Sequence, residues 1–142
     1  MRNYLLFLAT AAALAAPRPC SAETRLGIGA DYLTDNNGIL QLTLSGDTPL
    51  ARAITVGGRV GALLESGPFL GAPLDVFLRI HLGRIYVDGL IGPWFFFAGP
   101  DAVRLHGGLG FGLLTRGFNF GLEVGGLSAS GGLVGLRLAF RI

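Results

Sequence analysis

Leu74-Asp-Val-Phe-Leu-Arg-Ile-His-Leu82, followed by Gly83-Arg84 and Ile85-Tyr-Val-Asp-Gly-Leu-Ile91, is the stretch whose pattern decides the fold. On its first arm Leu74, Val76, Leu78, Ile80 and Leu82 share one parity, while Asp75, Arg79 and His81 share the other. A period of two places these sets on opposite faces of a β-strand, because successive side chains alternate. Gly83-Arg84 is a two-residue connection of the kind that closes a hairpin. It sets Leu82 opposite Ile85, and therefore Arg79 opposite Asp88 and His81 opposite Tyr86.

On either side of this hairpin the same alternation recurs with turn chemistry every dozen residues or so. It predicts strands over 24–33, 39–46, 53–65, 74–82, 85–97, 103–114, 117–127 and 132–142. The turn signals between them are Asp35-Asn-Asn-Gly38, Asp47-Thr-Pro49, Ser66-Gly-Pro68, Gly83-Arg84, Gly99-Pro-Asp101, Thr115-Arg-Gly117 and Ser128-Ala-Ser-Gly131. The first strand opposes Leu26, Ile28, Ala30 and Tyr32 to Arg25 and Asp31. The seventh opposes Phe118, Phe120, Leu122 and Val124 to Asn119 and Glu123. The last opposes Val134, Leu136, Leu138, Phe140 and Ile142 to Arg137 and Arg141. In the third, fifth and sixth, the polar parity carries Arg59 and Glu65, Asp88, and Arg104 and His106.

Alternation does not say which face is outside. A soluble barrel turns its apolar face inward, whereas a membrane barrel turns it to lipid. The polar parity is crowded with glycine, including Gly27, Gly29, Gly57, Gly61, Gly92, Gly108, Gly110, Gly112, Gly121, Gly125 and Gly135. That suits a narrow lumen better than a water-facing surface. The apolar parity is bulky and free of charge, as a lipid-facing surface must be when one arginine at the midplane costs about 2–4 kcal/mol. Tyr32, Phe69, Phe95 and Phe97 fall near one end of the strands and Phe118, Phe120 and Phe140 near the other, in the manner of two interfacial girdles. Trp94 and Phe96 interrupt the alternation by pointing inward, and the pattern alone gives them no role. The expected fold is therefore all-β, a closed antiparallel up-and-down transmembrane β-barrel of about eight strands.

The N-terminal region reads differently. Arg2 precedes the apolar run Tyr4–Ala16, Pro17 and Pro19 break it, and Cys20-Ser-Ala22 offers small residues for cleavage before Glu23. At about 13 residues the run is shorter than the roughly 20 of a spanning helix. Residues 1–22 are thus expected to be a removed secretory signal, leaving a barrel domain over 23–142. Pro17-Arg-Pro19 before Cys20 does not make a lipidation site. Because Cys20 is the sole cysteine, the barrel domain has no disulfide, thiol nucleophile or cysteine metal site.

All 11 basic residues are arginine; loss of Arg2 and Arg18 leaves as many cations as the 9 acids. A near-neutral domain lacks the basic surplus that nucleic-acid binding needs. Charged residues make up only 14% of the chain, against about 25% in soluble domains.

The whole of 23–142 resembles the small eight-stranded outer-membrane barrels of the OmpA/OmpX type, in its signal segment, even strand number, alternating strands and termini on one side. The resemblance implies residence in the outer membrane of a Gram-negative bacterium, contact with its lipid, and the barrel-insertion machinery as partner during biogenesis. That machinery reads an aromatic last residue in the family; here the chain ends Leu138-Ala-Phe140-Arg-Ile142, with Phe140 two places early.

The candidate site is the inward charge network: Arg59, Asp75, Arg79, Asp88, Arg104, His106, Glu123 and Arg137, with Arg25, Asp31, Glu65 and Arg141 beside them. Near balance of sign is what an interior of low dielectric demands. A four-residue loop after Leu127 brings Glu123 near Arg137. No catalytic residue, cofactor or metal site is assigned. Gly108-Leu-Gly110-Phe-Gly112 lies inside a strand with no helix to present amides to phosphate. Some barrels of this type are lipid A hydrolases or acyltransferases with a Ser-His pair at the rim; His106 is followed by Gly107-Gly108, without the serine. The longest outer loop is expected at Ser66–Pro73, too short for a loop-borne receptor function. The leading reading is a structural or minor-pore (porin-like) outer-membrane barrel, with the glycine lining leaving room for a water path. Two alternatives remain: a soluble periplasmic, lipocalin-like barrel binding a small apolar ligand, and an outer-membrane lipid-modifying enzyme.

Overall fold

The computed structural model describes residues 22–67 and 69–142. The secretory segment expected over 1–22, with Cys20, falls outside the described residues apart from Ala22. Eight antiparallel strands follow in chain order: β1 (Glu23–Leu33), β2 (Gly38–Ala51), β3 (Ile54–Glu65), β4 (Phe69–Leu82), β5 (Ile85–Phe96), β6 (Val103–Leu114), β7 (Phe118–Leu127) and β8 (Gly131–Arg141). Each pairs with its neighbours in sequence, and β1 pairs with β8, so the sheet closes and leaves no edge. The shortest strand has 10 residues and the longest 14, enough to cross a hydrocarbon layer at a tilt, which takes about 9–11.

The central hairpin has the register its sequence demands, with Leu82 paired to Ile85, His81 to Tyr86 and Arg79 to Asp88. Gly83 takes φ = +71° at the first central position of the turn while Arg84 keeps a negative φ. That is the backbone of a II′ turn, whose twist matches the flanking strands.

The structure corrects one turn and the length of one loop. Asp47-Thr-Pro49 is not a turn: β2 runs on to Ala51, and the reversal falls at Arg52-Ala53. Pro49 sits instead beside a register shift between Pro49 and Ala51, where the ladder is already interrupted. Likewise the expected loop Ser66–Pro73 is shorter, because β4 begins at Phe69. Pro73 lies within the strand, and the β3–β4 register passes from Val60–Leu74 to Leu63–Gly71 without pairing it. A residue with no N–H to donate fits such a gap.

The faces sort as the alternation requires. Leu40, Val76, Ile91, Leu105, Leu109 and Val134 are among the large apolar side chains left exposed on the outside. Arg59, Asp75, Asp88, His106 and Glu123 are buried inside. Glycine makes the closure possible at its tightest points. A Cβ on Gly92 would lie 1.9 Å from the carbonyl oxygen of Leu74, and one on Gly61 2.1 Å from that of Leu42. Real Cβ atoms cannot approach a neighbouring backbone so closely, so the strands curve inward there only because no side chain stands in the way.

Candidate functional site

The lumen is filled in three layers. At the end where β1 finishes and β2 begins, Leu33, Ile39, Leu63, Trp94, Phe96, Leu127 and Leu133 form a buried apolar plug. Trp94 and Phe96, which the alternation left without a role, are its largest members by ring size. Arg104 lies over this plug, its guanidinium carbon 4.2 Å from the centroid of Phe96. Its Nη1 donates to Glu65 Oε1 at 3.2 Å and to Ser130 Oγ at 2.9 Å. Arg104 therefore belongs to the loop-end rim and stands apart from the other candidate residues.

Beneath the plug, Arg59 of β3 joins β4 to β7. Its Nε and Nη2 donate to Asp75 Oδ2 at 3.0 and 2.7 Å, and its Nη1 donates to Glu123 Oε2 at 2.8 Å. Arg137 of β8 approaches the same carboxylate from the other side, with Nε to Glu123 Oε2 at 3.1 Å and Nη2 to Oε1 at 3.0 Å. Arg137 also donates to Asp31 of β1, which accepts from Gln41 of β2. His106 of β6 is fully enclosed: Nδ1 lies 2.8 Å from Asp75 Oδ1, and Nε2 lies 3.2 Å from Glu123 Oε1 without hydrogen-bond geometry. Trp94 stacks on this imidazole at 4.5 Å and donates from Nε1 to both Asp75 oxygens at 3.1 Å. One polar layer thus ties together seven of the eight strands, from Asp31 on β1 round to Arg137 on β8, and is anchored to the plug by the indole.

Toward the opposite end, Arg79 donates from Nε and Nη2 to the two oxygens of Asp88 at 2.7 and 2.8 Å, a bidentate pair across the central hairpin. Its guanidinium lies over Tyr86 at 4.4 Å and near Phe77 at 5.2 Å. Arg25 donates to Asp47 at 2.7 Å and to Glu23. Asp47 was missed as a lumen residue because Asp-Thr-Pro reads as a turn. Its parity, two before Pro49 and opposite Gly57, becomes visible only once β2 is known to continue.

Several glycines on the polar parity are sockets filled by other residues. They make room for long side chains reaching from other strands, adjacent for Arg137 and Asp31 and two strands away for Tyr86. A Cβ on Gly29 would meet Arg137 Nη1 at 2.8 Å, one on Gly135 would meet Asp31 Oδ1 at 1.7 Å, and one on Gly121 would meet the Tyr86 hydroxyl at 2.3 Å. The cavity left between Arg25, Arg59, Arg79, Tyr86 and Glu123 measures about 60 Å³. That holds water, whereas small-molecule pockets span about 300–1,000 Å³. Its lining carries the charged groups of Arg25, Arg59, Arg79, Asp88, Glu123 and Arg137 among apolar residues, unlike the uncharged apolar interior a lipocalin-like barrel requires. The hydroxyl–imidazole contact present among the described residues is Thr55 Oγ1 with His81 Nε2 at 3.1 Å, and no carboxylate pairs with His81.

No protein-family model matches the sequence, and no curated protein matches it. Similarity is found among solved structures. A designed transmembrane β-barrel superimposes with a TM-score of 0.67 at 11% identity, covering 84% of this chain and 95% of that one. The outer membrane protein Ail of Yersinia pestis, solved in a phospholipid bilayer nanodisc, gives 0.55 at 15% identity, over 86% of this chain and 100% of that one. Ail crystallised with the heparin analogue sucrose octasulfate gives 0.53 at 12% identity, over 88% and 100%. At such identities the likeness speaks for the fold, and it agrees with the closed antiparallel topology: this chain is folded as a small eight-stranded transmembrane β-barrel.

Proposed function

We propose that the chain is an integral outer-membrane protein of a Gram-negative bacterium, with a structural role and a lumen closed to solutes. The observation that carries this reading is the inversion of a soluble protein's polarity. Leu109, Val76 and Leu40 are 61%, 59% and 61% exposed, while Asp75 and Glu123 are 1% and 2% exposed. A contiguous apolar belt right round a monomer has no stable place in water, and a lipid layer removes the penalty.

Orientation follows from the connections. Arg52-Ala53, Gly83-Arg84 and Thr115-Arg-Gly117 are short turns at the end where β1 starts and β8 finishes. The other end carries the longer Thr34–Asn37 and Phe97–Ala102. Short turns face the periplasm in outer-membrane barrels, so the turn end is assigned to that side. Residues 1–22 serve as the export signal, and membrane lipid and the insertion machinery are the partners. No catalytic role is assigned.

A closed lumen makes a direct prediction. Purified barrel in planar lipid bilayers gives no unitary current steps, because the apolar plug and the Arg59–Glu123–Arg137 layer block the axis in series. Reproducible steps from the wild-type protein would contradict the closed lumen and restore the minor-pore reading.

A further inference from the structure

The two ends of the barrel differ in charge. Every one of the three turns at the turn end carries an arginine: Arg52 between β2 and β3, Arg84 between β4 and β5, and Arg116 between β6 and β7. All three are exposed, and none has an ion-pair or hydrogen-bond partner for its side chain among the described residues. Arg141, with its side chain 56% exposed, ends β8 on the same rim. Connections at the opposite end contain Asp35 and Asp101 and no cationic residue.

Up-and-down topology spaces the three arginine turns around the rim, one at every second strand. Leu50, Leu82, Ile85 and Phe118 are exposed on the belt beside those turns, which puts the guanidinium groups at the edge of the apolar surface. A lipid's phosphate occupies that level when its acyl chains lie against the belt. A second feature falls on the same rim. A polar recess of about 240 Å³ is lined by Arg25, Arg116, Arg141, Thr115 and Asn119. Its one acid, Glu23, is already paired with Arg25 and with Arg141, the latter at 3.3 Å. Arg116 is left to face an incoming anion.

We infer that this rim is a phosphate-binding collar for anionic phospholipid headgroups of the leaflet facing the turns, with Arg52, Arg84 and Arg116 as its contacts and the Arg116–Arg141 recess as its deepest site. Guanidinium suits the task because its planar fork meets phosphate oxygens two at a time. The inference rests on the membrane reading above, and on the turn end as the side where phospholipid is met.

Native mass spectrometry of the barrel, released from micelles doped with phosphatidylglycerol or phosphatidylcholine, tests it. The wild type is expected to retain phosphatidylglycerol in preference to phosphatidylcholine. The triple variant Arg52→Gln/Arg84→Gln/Arg116→Gln should lose that preference by about fivefold per arginine removed. These exposed side chains make no hydrogen bond or ion pair among the described residues, so the variant is expected to keep the wild-type fold, checked by its unheated gel mobility. Equal retention of the two lipids by the wild type, or a preference unchanged in the triple variant, overturns the inference. Displacement of the lipid by equimolar inorganic phosphate overturns the lipid as occupant and leaves a free-anion site. A barrel that does not enter micelles or vesicles at all defeats the membrane reading, so the two failures are distinguishable.

Discussion

Replacing Glu123 by alanine lowers the unfolding free energy of the barrel by about 3–5 kcal/mol, the cost of breaking a buried ion pair from one side. Glu123 is 2% exposed and accepts four hydrogen bonds, two from Arg59 and two from Arg137. Without it, Arg137 keeps Asp31 and Arg59 keeps Asp75, but each guanidinium loses its shared counter-charge inside the lumen. Glu123→Gln, which keeps shape and a carbonyl acceptor but not the charge, should fall between the wild type and alanine. Asp35→Asn, on an exposed connection, serves as a control within about 0.5 kcal/mol. Urea unfolding in lipid vesicles, followed by the fluorescence of the single tryptophan, Trp94, reads the change from inside the affected layer. An alanine variant as stable as the wild type would mean that the lumen is hydrated and its charges screened.

The second large effect comes from the opposite face. Leu109 lies mid-strand in β6, outward, paired with Gly89 and Val124 on either side. Leu109→Arg should cost about 2–4 kcal/mol in a bilayer, because the midplane gives the guanidinium neither water nor a counter-ion. On a soluble barrel the same change exchanges an exposed apolar side chain for a charged one and costs about 0.5 kcal/mol or less. Refolding into vesicles and urea titration separate the two cases. A variant that refolds and resists urea like the wild type places Leu109 in water.

Much of the architecture was legible because period-two alternation is a strong, local signal that survives without any knowledge of partners. Leu74–Leu82 and Ile85–Ile91 specify their own register through a two-residue turn, and the structure has that register. The failures share one cause. Asp47-Thr-Pro49 and the proline that closed the expected Ser66–Pro73 loop carry turn chemistry, but in a closed barrel a proline can sit where the ladder is already broken by a bulge or a gap. Reading Pro49 as a turn removed Asp47 from the lumen, and with it the partner of Arg25. The pairing of Arg79 with Asp88 followed from hairpin geometry. Glu123 does meet Arg137, but not through the expected four-residue loop: Leu127 pairs with Gly131 across three residues, Glu123 faces Gly135, and Arg137 reaches it diagonally. Contacts across the lumen, such as Arg59 with Glu123 or His106 with Asp75, depend on how the sheet closes and have no local signature. The same holds for Trp94, whose inward place makes sense only once Asp75 and His106 are seen beside it. The glycines were legible as a lumen lining but not as sockets, since a socket is defined by the side chain that another strand puts into it.

The most direct test of the account, an apolar belt in lipid around a charged interior, is membrane fractionation followed by gel electrophoresis of unheated and heated samples. Recovery in the outer-membrane fraction is expected, with release only by detergent and a mobility that changes on heating as the closed barrel unfolds. Recovery in the soluble periplasmic fraction, without detergent and with one mobility, would contradict it.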